Sequence, residues 1–310
     1  MRVITNYKSL SEIDQGATIA IGNFDGIHLG HQSVISLARE LGSGAPLGVL
    51  TFDPHPREFF NPKQVNFKLM TAKTKQNRLE KIGVELLYQL KFSKNLAALS
   101  AQDFATKVIV DGLKAVGVVV GSDFRFGNGR SGDAEILKEL GKELGFKVKI
   151  AEILLGEGEQ LSSTKIRKLL TNGLPRAAAK MLGHWHRIDG LVIQGDQRGR
   201  TLGYPTANLS IDGLHPPKFG VYAALVDILT GPYKGTYHGA TSIGKKPMFG
   251  ENIPNCETFI LNFDGNLYGE TLSIALVDFI RPEMKFKELE LMINQMEADC
   301  VAVSSLLESL

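Results

Sequence analysis

The stretch Gly22-Asn23-Phe24-Asp25-Gly26-Ile27-His28-Leu29-Gly30-His31 decides the fold of the first half of this chain. It follows a short apolar run, residues 17–21, that reads as a buried strand. It precedes Val34, Leu37, Ala38 and Leu41, whose spacing predicts a helix ended by Gly42. Strand, glycine-studded turn and helix N-terminus together form an anion site, because unpaired N–H groups and the positive helix end converge on one spot. The glycines allow close approach of backbone to a nucleotide. His28 and His31 are three apart, on one face of the first helical turn, where imidazole N–H groups meet charge developing on a phosphate or a pyrophosphate leaving group. The bland reading of each histidine is a cap or surface residue. Without a Walker-type Gly-Lys-Ser/Thr, a P-loop kinase mechanism is disfavoured here.

Outward from this stretch, apolar runs at 47–52, 86–90, 116–120 and 148–155 read as further buried strands. Helical patterns lie between them at 73–82, after Ser100, and at 134–144 before Gly145. Ser100 with Asp103 gives a capping-box spacing ahead of Phe104, Val108 and Ile109. Strand-helix alternation predicts an α/β domain with a doubly wound parallel sheet, its ligand crevice at the carboxyl ends of the strands. After about His184 the rhythm changes. Runs at 191–194, 221–227, 237–242, 259–263 and 272–279 are separated by Gly, Pro and Asp turns, and no helical pattern returns until Phe286, Leu289, Met292, Ile293 and Met296. Closely spaced strands without crossovers predict an antiparallel β-barrel with a terminal helix. The boundary falls within 182–187, giving domains 1–183 and 184–310.

A length of 310 residues fits two domains, and a formal charge of +2 points away from a nucleic-acid footprint or a membrane stripe. The two cysteines, Cys256 and Cys300, have no paired ligand spacing, which argues against zinc and disulfides and for a reducing compartment. The N-terminal residues lack the apolar core of a signal peptide, and no run approaches a membrane span. The expectation is a cytoplasmic protein acting on small molecules.

Four other stretches carry candidate chemistry. Ser162-Ser163-Thr164-Lys165-Ile166-Arg167 reads either as a simple N-cap cluster or as a second phosphate-binding helix start, with Arg167 as a clamp. Thr51-Phe52-Asp53-Pro54-His55-Pro56 and Gly121-Ser122-Asp123-Phe124-Arg125-Phe126-Gly127 are either ordinary turns or strand-end loops suited to an aromatic ligand. Residues 195–209 begin with a glycine-interrupted basic loop that includes Gly195 and Gly199 and suits phosphates. They end in Pro205-Thr206-Ala207-Asn208, where alternation puts Thr206 and Asn208 on one face, able to share a hard cation; the plain reading is only a turn. Glu257, at the start of an apolar run, is either a solvated edge residue or a base that takes a proton from an attacking alcohol.

The opening motif, Asp123-Phe-Arg-Phe-Gly127 and Ser162-Ser-Thr-x-Ile-Arg167, in this order, resemble the adenylyltransferase domain of bacterial bifunctional FAD synthetases, the riboflavin kinase/FMN adenylyltransferases. These belong to the nucleotidyltransferase superfamily with the His-x-Gly-His signature. The second half, with Gly195-x-x-x-Gly-Arg-x-Leu-Gly-Tyr-Pro-Thr-Ala-Asn208, Gly220-Val-Tyr-Ala223, Ser242-Ile-Gly244, Leu267-Tyr-Gly269 and Phe279-Ile-Arg-Pro-Glu-Met-Lys-Phe286, is similar to a riboflavin kinase domain. The resemblance implies phosphorylation of riboflavin to FMN by ATP, then attack of FMN phosphate on the α-phosphorus of ATP to give FAD and pyrophosphate, with Mg²⁺ in both steps. It implies that Gly22, Asn23, Phe24, Gly26, His28, His31, Ser163, Thr164 and Arg167 handle ATP in the adenylyltransferase step, with His55, Asp123 and Phe124 on the flavin side. In the kinase half it implies Thr206 and Asn208 for Mg²⁺-ATP beside Gly195 and Gly199, Glu257 to activate the ribityl 5′-hydroxyl, and Arg281 near the flavin. The chain departs from the family pattern at Ser122, at Lys246-Pro247-Met248-Phe249 and at Phe259. The rival readings are a chain with a single working activity, the kinase being the weakened one, and a non-catalytic flavin or nucleotide sensor.

Overall fold

Strands of continuous apolar sequence pair in parallel in the first half of the computed structural model, which describes residues 1–62, 66–152, 154–156, 159–195, 199, 202–245 and 254–310. They are β1 (Arg2–Ile4), β2 (Thr18–Ile21), β3 (Leu47–Asp53), β4 (Leu86–Lys91), β5 (Gly117–Gly121) and β6 (Lys147–Ala151), in the order β1-β4-β3-β2-β5-β6. Every residue of β2 is buried, as a central strand covered on both faces requires. From β2 the chain steps to β3 on one side, and β5 later docks on the other. The sheet therefore reverses direction at β2, and the crevice of such a sheet opens at the carboxyl ends of β2 and β5. The quoted turn leaves β2 there, and Gly121-Ser122-Asp123 leaves β5.

The helices follow the expected spacing. α1 (Leu29–Leu41) buries Val34, Ile35 and Ala38 and is capped by Gly42. α2 (Ala72–Lys81) and α3 (Ala134–Leu144) match their patterns, and Gly145 ends α3 in the left-handed conformation. Ser100 Oγ accepts the Asp103 N–H at 3.0 Å, as the capping spacing requires, but the following turns, Phe104–Val110, form a π-helix. β1 was not foreseen: three residues long, with only Ile4 buried, it is too short to show a period. The strand read over 148–155 ends at Ala151.

The second half forms six antiparallel strands: β7 (His186–Leu191), β8 (Thr206–Ser210), β9 (Gly220–Ile228), β10 (Gly235–Lys245), β11 (Pro254–Ile260) and β12 (Thr271–Pro282), ordered β7-β12-β9-β10-β11-β8. The run at 191–194 is not a strand of its own: Leu191 ends the strand that begins at His186, and the remaining residues lie beyond it. Just past β7, Ile193 forms an antiparallel bridge with Asn208, its N–H donating to the Asn208 carbonyl at 2.9 Å, which brings the two edge strands together as a barrel. The inner residues Ala207, Leu209, Tyr222, Ala224, Val226, Ile243, Cys256, Ile260, Ile274 and Leu276 form the barrel core. The terminal helix α6 (Leu289–Glu308) lies on the outer face, where Val303 and Leu307 pack with Ala223 and Val277.

Contacts divide the chain into two compact units, Met1–Val65 with Lys75–Ser162, and Asn66–Thr74 with Ser163–Leu310. Helices α4 (Ser163–Thr171) and α5 (Pro175–Leu182) thus join the barrel, where Arg176 pairs with Asp278 at 2.7 Å. The segment Asn66–Thr74 joins it too: His215 N–H donates to the Lys68 carbonyl at 2.7 Å.

Tyr222 tests the barrel core. Its ring is fully buried against Phe279, and its hydroxyl donates to the Lys218 carbonyl at 2.6 Å. Tyr222→Phe is expected to cost about 1 kcal/mol and Tyr222→Ala about 3–5 kcal/mol in urea denaturation followed by circular dichroism.

Candidate active sites

The turn after β2 is held in an unusual backbone conformation. Phe24, Gly26 and Ile27 have φ of 50°, 88° and 43°. For Phe and Ile this costs on the order of 1–3 kcal/mol each, which full burial of the two side chains, about 1.5–3 kcal/mol each, offsets. Phe24 is 1% and Ile27 0% exposed. Between the anchors, Asn23 is left exposed, and its carbonyl accepts from Lys75 Nζ at 2.7 Å and from Thr51 Oγ1 at 3.1 Å. A Cβ on Gly22 would lie 3.3 Å from the Phe24 ring, so this glycine admits the ring.

His28 is the N-cap of α1, its Nδ1 accepting the His31 N–H at 3.3 Å. The accepting Nδ1 carries no proton, which leaves the proton on Nε2 in the neutral ring. The His28 and His31 rings stack with centroids 3.7 Å apart, and Phe24 meets His31 edge-on at 5.2 Å. A Cβ on Gly30 would lie 3.2 Å from His28 Nδ1, so glycine between the histidines lets that ring lie over the helix start. Burial pushes His28 down to about 4 and, with the charges of His28 and Lys75 nearby, pushes His31 well below its ordinary value. Both rings are neutral near pH 7, so they offer N–H groups rather than full charges. Lys75, missed in the sequence, is a cation that reaches this turn. Its signal was faint: one lysine in a helix rich in them.

His55 caps a short helix (Pro56–Phe60) at the end of β3, its Nδ1 accepting from Arg57 N–H at 3.0 Å. Beside it Phe52, Phe59, Phe60 and Phe92 meet edge-to-face at 5.2–5.7 Å, and Phe60 remains 69% exposed. Asp123 is exposed after β5, while Phe124 stacks on Phe126 at 5.4 Å. Ser163, Thr164 and Arg167 open α4 in the second unit, and Arg167 Nε donates to the Phe67 carbonyl at 2.5 Å with its guanidinium 5.5 Å from the Phe67 ring centroid.

In the barrel, register alone assembles the second site. Asn208 pairs with Glu257, Glu257 with Ser242, Ser242 with Val221, and Val221 with Arg281. Directly paired residues share a face, so these five form one row across the outer surface, with Thr206 two residues along. Asn208 is buried; its Nδ2 lies 3.1 Å from the Thr206 carbonyl and 3.4 Å from Thr206 Oγ1. Asn255 Nδ2 donates to Glu257 Oε1 at 2.9 Å. A Cβ on Gly195 would come within 2.7–2.8 Å of the Asn208 carboxamide, so only glycine passes there. Gly199 closes a turn, its carbonyl accepting from Leu202 and Tyr204 N–H. Asp196, Gln197, Arg198, Arg200, Thr201 and the departure at 246–249 lie outside the described residues.

A cavity of about 270 Å³ lies along this row, between the barrel face and α6. Thr206, Glu257 and Arg281 line it with Tyr204, Phe259, Met284, Phe286, Met292 and Met296. Arg281 also makes a two-pronged pair with Asp299 of α6, Nη2 to Oδ2 being 2.7 Å. Asp299 escaped the sequence reading, although it falls on the stripe of Met292, Met296 and Val303, where a buried acid is a signal of a partner. The hydroxyl, carboxamide and carboxylate of Thr206, Asn208 and Glu257 are oxygen donors of the kind Mg²⁺ takes, once the Asn208 amide presents its oxygen.

The FAD synthetase family matches residues 10–165 and the riboflavin kinase family residues 182–307. Proteins named bifunctional riboflavin kinase/FMN adenylyltransferase are similar along nearly the whole chain. That of Escherichia coli (strain K12) is 34% identical over 302 residues, covering 96% of each chain. That of Pseudomonas fluorescens is 34% identical over 309 residues, covering 99% of this chain and 98% of the relative. A crystal structure described as a macrolide-efflux protein from Streptococcus pneumoniae matches with a TM-score of 0.82 at 31% identity, covering 98% of both chains. Among the described residues, no helix of this chain is long and apolar enough to cross a membrane.

The neutral histidine at the turn predicts acid sensitivity. Unfolded, His28 takes up a proton near pH 6.5; folded, it does so only near 4. The unfolded state therefore binds more protons between these values, and stability present above pH 6.5 is lost as the pH falls toward 4, on the order of 3 kcal/mol in all. His28→Asn, which keeps an N-cap acceptor, is expected to flatten that part of the melting-temperature curve measured between pH 7.5 and 4.5.

Proposed function

The chain belongs to the bifunctional riboflavin kinase/FMN adenylyltransferase family, and from that membership we propose which residues carry each of its two activities. The observation that carries the reading is the row Asn208–Glu257–Ser242–Val221–Arg281, which gives a carboxylate, two oxygen donors and an aromatic and thioether cavity on one barrel face. In the kinase step the isoalloxazine ring of riboflavin enters the cavity among Tyr204, Phe259 and the methionines. Its ribityl 5′-oxygen attacks the γ-phosphorus of ATP as Glu257 takes the hydroxyl proton, and the bond to ADP breaks. Thr206 and Asn208 would hold Mg²⁺, which supplies charge to offset the polyphosphate. Gly195 and Gly199 are assigned to the ATP phosphates, at two positions where no Cβ stands between backbone and ligand.

In the adenylyltransferase step a phosphate oxygen of FMN attacks the α-phosphorus of ATP and pyrophosphate leaves, with no covalent enzyme intermediate. The turn Gly22, Asn23, Phe24 and Gly26 is assigned to ATP, although the Gly22 N–H itself donates to the Leu50 carbonyl at 3.1 Å, and His28 and His31 donate N–H bonds to the phosphates as charge develops. Within the first unit, His55, Asp123 and Phe124 are assigned to the flavin; the exposed Phe60 beside His55 supports an aromatic ligand there. We assign the adenylyltransferase to 1–183 and the kinase to 184–310, supported by family matches to 10–165 and 182–307. Two free cysteines and ATP as co-substrate support a cytoplasmic setting.

Incubation with riboflavin, ATP and Mg²⁺, followed by separation of the flavins, tests these roles. Glu257→Gln is expected to abolish FMN formation and leave FAD formation from supplied FMN; His28→Ala is expected to do the reverse. Loss of both activities in either variant with the fold intact defeats the two-centre assignment. Gly30→Ala, which sets a methyl 3.2 Å from His28 Nδ1, is expected to slow FAD formation alone, as measured by initial rates from FMN.

A further inference from the structure

Asp299 is 4% exposed, and its carboxylate is closely held. Oδ1 accepts from Arg281 Nε at 2.8 Å and from Gln295 Nε2 at 3.0 Å, and Oδ2 accepts from Arg281 Nη2 at 2.7 Å. Arg281 Nη1 donates to the Pro282 carbonyl at 3.0 Å. The pair joins the last barrel strand to the helix that covers the cavity, and both residues line that cavity. The helix is anchored unevenly. Val303 and Leu307 bury themselves on the barrel, all C-terminal to the ion pair, whereas Leu289 and Leu291 at the other end are 56% and 52% exposed. Met292 and Met296, between these ends, reach the cavity. The buried fastening of α6 nearest the cavity is therefore the ion pair.

The same cavity holds two more carboxylates, Glu257 and Glu283. A guanidinium without its partner on the helix would have both as alternatives, and it stands in the same row as Glu257.

We propose that Asp299 is a positioning residue of the kinase centre: by pinning Arg281 to the terminal helix, it sets the cavity wall that receives the flavin ring and keeps the guanidinium away from Glu257. The inference rests on the reading of that cavity as the riboflavin site. Its effect belongs to binding of the flavin more than to phosphoryl transfer, since neither member of the pair touches the donated proton.

The test uses the full chain and riboflavin, titrated by quenching of flavin fluorescence, beside steady-state FMN formation. Asp299→Asn leaves a part-buried cation without its counter-charge and is expected to weaken riboflavin binding about ten-fold or more, raising KM far more than it lowers kcat. The double variant Arg281→Met/Asp299→Leu fills the same space with apolar groups and is expected to melt at or above the parent while still binding riboflavin weakly. It carries the same test should Asp299→Asn not fold. Riboflavin binding within roughly two-fold of the parent in Asp299→Asn, or parental binding in the apolar double variant, overturns the proposal, the latter because the pair would then be packing alone. Glu257→Gln separates the two readings: if it retains turnover, the assignment of the base fails, while the fluorescence titration still judges Asp299.

Discussion

Burial of Phe24 and Ile27 is the constraint on which the first unit depends. Both occupy backbone conformations that their side chains disfavour, and both are removed from water. The apolar core thus fixes the path of a loop that carries no regular hydrogen-bond ladder. Because the path is fixed, the carbonyl of Asn23 stays where Lys75 and Thr51 reach it, and α1 begins where His28 can cap it. Cap, ring stack and glycine are one arrangement. His28 holds the His31 N–H, the stacked ring holds His31, and the absence of a Cβ at Gly30 leaves room for both.

The barrel reaches its site by the opposite route. Regular antiparallel pairing sends alternate residues inward and outward, so the core residues Cys256 and Ile260 oblige Glu257 and Phe259 to face out. The row from Asn208 to Arg281 follows from register, and a one-residue slip would bury Glu257 in the core. Closure matters to the same residue that the site uses: the bridge from Ile193 ends at the Asn208 backbone, while Gly195 lets the chain pass its carboxamide. Stability and chemistry share one strand.

This contrast explains what the sequence disclosed. Both fold classes were legible because buried strands and amphipathic helices carry period and length, as at Ala134–Leu144, where the expected and observed bounds agree. The His-x-Gly-His stretch was legible because its local geometry is encoded locally. Lys75, Asp299 and the phenylalanine cluster around Phe92 were not, since their roles arise from tertiary neighbours far along the chain; Lys75 lies 52 residues from the carbonyl it contacts. Membership of Ser163–Leu182 in the barrel unit was hidden for the same reason, because helix packing partners leave no trace in helix periodicity.

The two centres also differ in how they meet the negative charge of a polyphosphate. Around the first turn the burial that orders the imidazoles also removes their charge, so attraction must come from N–H dipoles, the helix end and a long side chain such as that of Lys75. In the barrel the row brings together the oxygens of Thr206, Asn208 and Glu257, and a carboxylate by itself repels a phosphate. Such a set favours a nucleotide only with a cation between them. The donor chemistry of the proposed kinase centre therefore suits a magnesium-nucleotide complex, whereas the N–H groups of the turn proposed for adenylyl transfer suit phosphate oxygens directly.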